Sequence, residues 1–156
     1  MTGFNHGMTG AVIALVVKNP AIAIPISFVS HFAQDIVPHW NYGIKRRQGQ
    51  RTNFFTRRFD SLLSLDFCIA VAAMVVLAFM FPAQKWRIWL CMIVAASPDL
   101  MWAYYRLYLE HLKRRKPNYN ALARFHIFVQ WSQTGLGFAA EIIWFVTAWI
   151  IIFKLR

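Results

Sequence analysis

The chain is poor in cysteine and in recognisable catalytic or phosphate-binding motifs. It has 2 cysteines in 156 residues, and Cys68 and Cys91 both lie inside apolar runs. This placement excludes a disulfide framework and a cysteine-ligated zinc site. The sequence also contains no Ser-His-Asp arrangement, no glycine-rich phosphate loop and no signature of a nucleic-acid-binding fold. We therefore expect no nucleic-acid partner.

Acidic residues are also scarce, and the basic residues are unevenly distributed. The 6 Asp and Glu stand against 17 Lys and Arg, which gives a formal net charge of +11. Twelve of the basic residues fall in segments 45–58 and 106–124. Basic blocks between apolar stretches are typical of cytoplasmic loops, and they attract anionic lipid head groups. We therefore predict membrane lipids as partners, and the candidate residues for binding an anionic substrate are Arg57, Arg58, Lys113 and Arg115.

The chain is rich in apolar residues. They make up 58% of the sequence, aromatic residues make up 17%, and the mean hydropathy is +0.42. These values are typical of a membrane protein. We predict an all-α polytopic membrane bundle that forms one integral membrane domain over residues 1–156. Its expected helical segments number about five: residues 8–17 (short or re-entrant), 20–37, 61–81, 86–109, and one long helix from 121 with its membrane portion at 135–153.

The N-terminal stretch lacks a basic region and a convincing cleavage site, so we interpret it as a retained first helix. With both basic segments on the cytoplasmic side, the N-terminus is also cytoplasmic. The expected location is a bacterial or archaeal inner membrane.

The most informative stretch is residues 20–42, which begins as an apolar helix and ends with His31, Asp35 and His39. Residues four apart lie on one helix face, so His31 and Asp35 point the same way. Pro38 disfavours helical geometry at Val37, which places His39 on the rim of the helix. Imidazole and carboxylate at this spacing suit Zn²⁺ or a similar divalent ion. The alternative is a membrane helix whose polar end meets water.

Further ionisable residues fall at the same depth when each helix is placed in the predicted topology. They are His6, Asp66, Asp99, His126 and Glu141. Charged groups inside membrane spans are costly unless they are paired, hydrated or metal-bound, and no Lys or Arg lies inside a span to neutralise these acids. A bound cation would make their burial favourable. A structural polar network is the alternative, with interfacial histidines and with Glu141 bonded to a neighbouring helix.

Four short motifs of this sequence resemble those of a known class of membrane proteins. NHGMTGA (residues 5–11), NP (19–20), SHFAQDIVPH (30–39) and SPD (97–99) resemble membrane-bound metal-dependent hydrolases, which are often compared with zinc-dependent phospholipase C. The resemblance implies these metal ligands: His6, His31, Asp35, Asp99 and His126. Helix geometry adds His39 and Asp66 as ligands or as residues that orient ligands.

These observations support three functional hypotheses. The first is a zinc-dependent hydrolase that acts on a phosphoester or lipid at the cytoplasmic leaflet, with metal-activated water as nucleophile and Asp66 or Glu141 as general base. The second is a non-catalytic membrane module, either an ion or proton pathway or an adaptor. The third is lipid-surface anchoring through the basic segments, which explains the charge but not the buried acids.

Overall fold

The computed structural model describes residues 1–40, 57–113, 118–132 and 134–156. These residues form six α-helices, one π-helical segment and one 3₁₀ turn, so the predicted all-α class is confirmed. The elements, in order, are α1 (Gly3–Val16), α2 (Pro20–Ile36), α3 (Arg57–Met80), α4 (Lys85–Trp102), the π-helical segment (Ala103–Leu112), α5 (Ala121–Val129), the 3₁₀ turn (Gln130–Ser132) and α6 (Gly137–Lys154).

Helix α1 is the centre of the bundle and packs against α2, α3, α4 and α6. Its 14 residues begin after Thr2, whose side chain accepts a hydrogen bond from the Asn5 amide. Small residues at Gly7, Gly10 and Ala14 are buried along it. A Cβ at Gly10 would overlap the backbone of Cys91 in α4. Small residues allow two helix backbones to approach closely, and this approach brings the N-terminal half of α1 against α4.

We expect Gly10→Ala to destabilise the protein. The new methyl group would force α1 away from α4, and overpacking of this kind costs about 1–3 kcal/mol. This loss outweighs the gain of up to about 1 kcal/mol in helix propensity. Thermal denaturation in detergent should show a lower Tm for this variant. Gly135→Ala is the matched control, because a Cβ there meets no atom within 4 Å among the described residues. Equal Tm values for the two variants would contradict the close contact.

The ends of α2 and an altered hydrogen bond in α4 follow from local sequence. Asn19 caps α2 by accepting a hydrogen bond from the Ala21 amide. The helix ends at Ile36 and Val37 is extended, as Pro38 predicts. Proline has no amide hydrogen, so Pro98 cannot donate to the Val94 carbonyl. The Ser97 hydroxyl donates to that carbonyl instead, at 2.8 Å. The site residues on these two helices therefore lie close to a helix end or beside a proline.

The predicted single helix from residue 121 is wrong, because the chain breaks into α5, a 3₁₀ turn and α6. At the break, the Ser132 hydroxyl donates to the carbonyl oxygens of Asp35 (3.3 Å) and Val37 (3.0 Å). The Thr134 amide donates to the His39 carbonyl at 3.0 Å. These bonds to the end of α2 replace those that a continuous helix would make. His126 in α5 and Glu141 in α6 therefore lie on separate helices.

The predicted helix at residues 86–109 also differs, since α4 changes to π-helical winding after Trp102. Of the basic segments at 45–58 and 106–124, which the sequence predicts as loops, residues 45–56 and 114–117 lie outside the described residues. Arg57 and Arg58 belong to the first turn of α3.

Within the described residues, two helices are long and apolar enough to cross a membrane: Ser61–Met80 within α3 and Gly137–Lys154, which is α6. Their outward side chains are exposed, with Phe79 at 83% and Ile143 at 66%. Helices α1 and α2 have 14 and 17 residues, below the roughly 20 that usually span a bilayer. The expected polytopic bundle of about five membrane segments is therefore not confirmed by helix length and composition.

Candidate metal centre

Asp35, in the last turn of α2, is fully buried at the centre of a group of imidazoles. The Nε2 atoms of His126 and His31 lie 2.8 and 3.4 Å from its Oδ2. The Nε2 atoms of His6 and His39 lie 3.2 and 4.0 Å from its Oδ1, an oxygen that the Met1 ammonium also contacts. One carboxylate therefore faces four histidines that come from α1, α2, the segment after α2 and α5.

Asp99 completes this cluster and forms its accessible side. Its Oδ1 lies 3.7 Å from His31 Nε2 and 3.9 Å from His126 Nε2. The Asp99 side chain is 34% exposed, whereas that of Asp35 is 0% exposed. The structure thus brings together, from distant parts of the chain, six of the seven residues predicted as metal ligands or as residues that orient them. We call these six the His/Asp cluster. Asp66 lies instead against the Phe4 amide of α1.

The spacing within the cluster is suitable for coordinating a metal ion. Two triads, His6–His31–Asp99 and His31–Asp35–His126, each have ligand atoms within 4.8 Å of one another. A tetrahedral ion bound at 2.0–2.1 Å holds its ligands roughly 3.3 Å apart. The distance between the Nε2 atoms of His31 and His126 is 3.1 Å, close to that value. The His/Asp cluster could therefore hold a metal ion.

Protein oxygens on the far side of the rings orient three of the imidazoles. The contacts are His6 Nδ1 to Gln34 Oε1 at 3.0 Å, His31 Nδ1 to the Ala95 carbonyl at 2.9 Å, and His39 Nδ1 to the Val37 carbonyl at 2.8 Å. An Nδ1–H that donates to oxygen leaves Nε2 unprotonated in a neutral ring, and metal-binding histidines are commonly held this way. These contacts favour rings whose Nε2 lone pairs point into the cluster.

Two of those lone pairs lack a hydrogen-bond donor. The buried Nε2 atoms of His6 and His39 have no hydrogen-bond partner among the described residues. Burial and the positive charge of the Met1 ammonium lower the pKa of His39, so its ring favours the neutral form. A buried acceptor without a partner is costly, and a cation would remove that cost.

The fourth imidazole, that of His126, is positioned by a glutamine side chain and by two aromatic rings. Gln130 lies one turn later on the chain, and its Nε2 is 3.0 Å from His126 Nε2 and 3.3 Å from Asp35 Oδ2. The rings of Phe32 and Trp102 pack against His126, with centroids at 5.5 and 5.4 Å. This apolar packing shields the cluster from water on the α5 side.

The structure places Glu141 and Asp66, the predicted catalytic residues, at the N-terminus of α1. Glu141 accepts hydrogen bonds from the Thr2 amide at 3.0 Å, the Thr2 hydroxyl at 2.9 Å and the Asn5 side chain. Asp66 accepts from the Phe4 amide at 3.1 Å. Carboxylates stabilise a helix N-terminus by capping its amides and by interacting with the helix dipole. In this geometry the two acids fix the N-terminus of α1, the helix that carries His6. Their catalytic role stays a prediction.

We expect Glu141→Gln to lower stability by about 2 kcal/mol, since it removes charge-assisted hydrogen bonds at a buried site. Metal affinity should also fall, because α1 would no longer be held in place beside Asp35. Differential scanning fluorimetry and a zinc competition titration measure the two effects. If the variant keeps wild-type stability and zinc affinity but loses hydrolysis, a general-base role fits better than a positioning role.

Little of the predicted anion-binding surface can be located. Lys113 is exposed, and its Nζ lies 5.5 Å from the ring centroid of Tyr108. The side chains of Arg57 and Arg58, and the whole of Arg115, lie outside the described residues.

The sequence reasoning missed several residues that support the cluster. Gln34 orients His6, and Ser132 bonds the last carbonyls of α2. Gln130 offered a signal, since it follows His126 by four residues and shares its helix face. The Ala95 carbonyl carries no sequence signal, because every residue has a backbone carbonyl.

These observations define an all-helical protein with a buried histidine and carboxylate cluster that could hold a metal ion. Comparison with family models, curated proteins and solved structures finds no match to this chain. The functional conclusion therefore depends on the site itself.

Proposed function

We propose that this protein is an integral membrane, metal-dependent hydrolase that acts on a phosphoester or lipid at the cytoplasmic leaflet. The observation that carries the proposal is the convergence of four imidazole Nε2 atoms and two carboxylates on one buried point. In three of the rings, Nδ1 contacts an oxygen atom of the protein. Such a contact orients the ring, as is expected for histidines that bind a metal through Nε2.

Zinc is the ion that we favour. The cluster offers nitrogen and carboxylate oxygen donors, the set used by zinc hydrolases, whereas magnesium and calcium prefer oxygen ligands. When bound, zinc lowers the pKa of a coordinated water and polarises a phosphoryl or acyl oxygen.

The surrounding residues suit such chemistry. Asp99 is the partly exposed member of the cluster, so a substrate would approach beside it, while Asp35 stays buried. The aromatic rings of Phe32 and Trp102 pack against His126, which is fully buried. A general base is still required, and Asp66 and Glu141 remain the predicted candidates. The basic residues Arg57, Arg58, Lys113 and Arg115 would attract an anionic head group.

Membrane insertion is supported by α3 and α6, the two helices long and apolar enough to cross. The helix ends that carry the cluster are the start of α1 and the ends of α2 and α4, so the cluster lies at one end of the bundle. Both basic segments follow helices that end there. By the positive-inside rule this end, with the N-terminus, faces the cytoplasm of a bacterial or archaeal cell.

One observation favours a second candidate, a non-catalytic membrane module with a structural polar network. The buried Glu141 and the half-buried Asp66 already have hydrogen-bond donors at the start of α1, so these two acids need no metal to be stable. An adaptor or an ion or proton pathway would need only this network.

The test is metal analysis and hydrolysis by purified protein in detergent. We expect bound zinc, together with zinc-dependent hydrolysis of bis(p-nitrophenyl) phosphate or of phosphatidylglycerol in mixed micelles. The His31→Ala/Asp35→Ala double variant should lack both. Bound zinc without turnover of either probe would favour the non-catalytic candidate. Absence of zinc from the wild-type protein after loading would contradict the metal centre.

A further inference from the structure

The two oxygens of Asp35 face different pairs of histidines. Oδ2 lies 2.8 Å from His126 Nε2 and 3.4 Å from His31 Nε2. Oδ1 lies 3.2 Å from His6 Nε2 and 4.0 Å from His39 Nε2. A carboxylate between two sets of nitrogen donors has the arrangement of a ligand that bridges two ions.

The Oδ2 side holds enough donors for one ion by itself. Asp99 Oδ1 lies within 3.9 Å of the Nε2 atoms of both His31 and His126. With Asp35 Oδ2, this side offers two nitrogens and two oxygens, which is a full tetrahedral set.

On the Oδ1 side the Met1 ammonium donates to the carboxylate, but two histidine nitrogens have no hydrogen-bond partner in the described part of the chain. His6 Nε2 and His39 Nε2 are both buried and both lack a hydrogen-bond partner among the described residues. Each ring has its Nδ1 against an oxygen, of Gln34 and of Val37, so Nε2 is the lone-pair nitrogen. An ion on the Oδ2 side already has its own four donors, so it requires neither of these two nitrogens.

The backbone of His39 is held in place by contacts with the start of α6 and with the segment that precedes it. A Cβ at Gly137 would overlap the backbone of His39, so the absence of a side chain there allows the two segments to touch. The Thr134 amide bonds the His39 carbonyl at 3.0 Å. This fixed position keeps the His39 ring turned toward Asp35.

We propose that the centre binds two divalent ions bridged by Asp35, which rests on the proposed metal-dependent function. His31, His126, Asp99 and Oδ2 hold one ion. His6, His39 and Oδ1 hold the second, which displaces the Met1 ammonium from Oδ1. Ions bridged in this way in two-metal hydrolases lie about 3.5–4 Å apart and together stabilise the attacking and leaving oxygens of a displacement.

Zinc content per chain tests the second site. Zinc-loaded wild-type protein should contain two ions, and His39→Ala should contain one. His111→Ala is the matched control, since it removes the one histidine of the sequence that does not belong to the His/Asp cluster and should leave two ions. One ion in the wild type, unchanged in His39→Ala, would overturn the second site and leave the proposed function standing. Absence of zinc from the wild type would overturn both.

A second measurement uses only the wild-type protein and so does not depend on the folding of a variant. Apo protein titrated with Mn²⁺ should give the electron paramagnetic resonance spectrum of a spin-coupled pair at two equivalents. Coupling is expected because a carboxylate bridge joins the two ions. A spectrum of isolated Mn²⁺ at every ratio would contradict a bridged pair, and saturation at one equivalent would contradict a second ion.

Discussion

Replacing Asp35 with asparagine is expected to weaken zinc binding by more than about 100-fold and to abolish hydrolysis. Loss of a residue that merely orients a ligand already costs 10–100-fold in metal affinity, and Asp35 contacts the Nε2 atoms of four histidines directly. Asparagine has nearly the same shape but no charge, so the variant tests the electrostatic contribution of the carboxylate. A competition titration against a zinc chelator measures the affinity.

The matched control is Asp60→Asn, which removes the same charge from an aspartate outside the His/Asp cluster. It should bind zinc like the wild type. Asp99→Asn should weaken binding less than Asp35→Asn, because Asp99 is partly exposed and approaches two histidines at 3.7 and 3.9 Å. Wild-type zinc affinity in Asp35→Asn would contradict its place at the centre of the site.

Removing the metal is expected to lower Tm by about 10 °C. A ligand present at 1,000 times its Kd stabilises the folded state by about 4 kcal/mol, and each kcal/mol shifts Tm by about 2–4 °C in a protein of this size. The physical reason is that the apo centre leaves buried nitrogen acceptors unpaired beside a buried carboxylate. Differential scanning fluorimetry with and without EDTA, followed by zinc addition, measures the shift and its reversal.

The Asp35→Asn variant serves as the control for this experiment as well. Its Tm should not respond to EDTA, because it has little metal to lose. If EDTA leaves the wild-type Tm unchanged in a sample shown to have released its metal, the ion does not stabilise the fold.

The part of the site that the sequence predicted best is the part held on one helix. His31 and Asp35 lie four residues apart, so α-helical geometry alone requires a common face. Pro38 likewise predicted the end of α2 and the position of His39 beyond it. The composition predicted an all-helical chain. Each of these features depends on neighbours within a few residues.

The parts that failed depend on contacts between distant segments. Gly135 and Gly137 weaken a continuous helix locally, but the break itself is stabilised by hydrogen bonds to the carbonyls of Asp35, Val37 and His39. Similarly, Glu141 and Asp66 looked like acids in need of a cation or a basic partner. Their actual donors are the amides and side chains at the start of α1.

By itself, the sequence determined the helices, their apolar character and the types of donor available, because helix periodicity and ligand chemistry are properties of the residues. Only the tertiary structure decided which side chains meet. The close contact of α1 with α4 at Gly10 and the turn after α5 bring His6 and His126 to opposite oxygens of Asp35. Such convergence is set by backbone packing and hydrogen bonds across more than 90 residues of chain, and no local pattern encodes it.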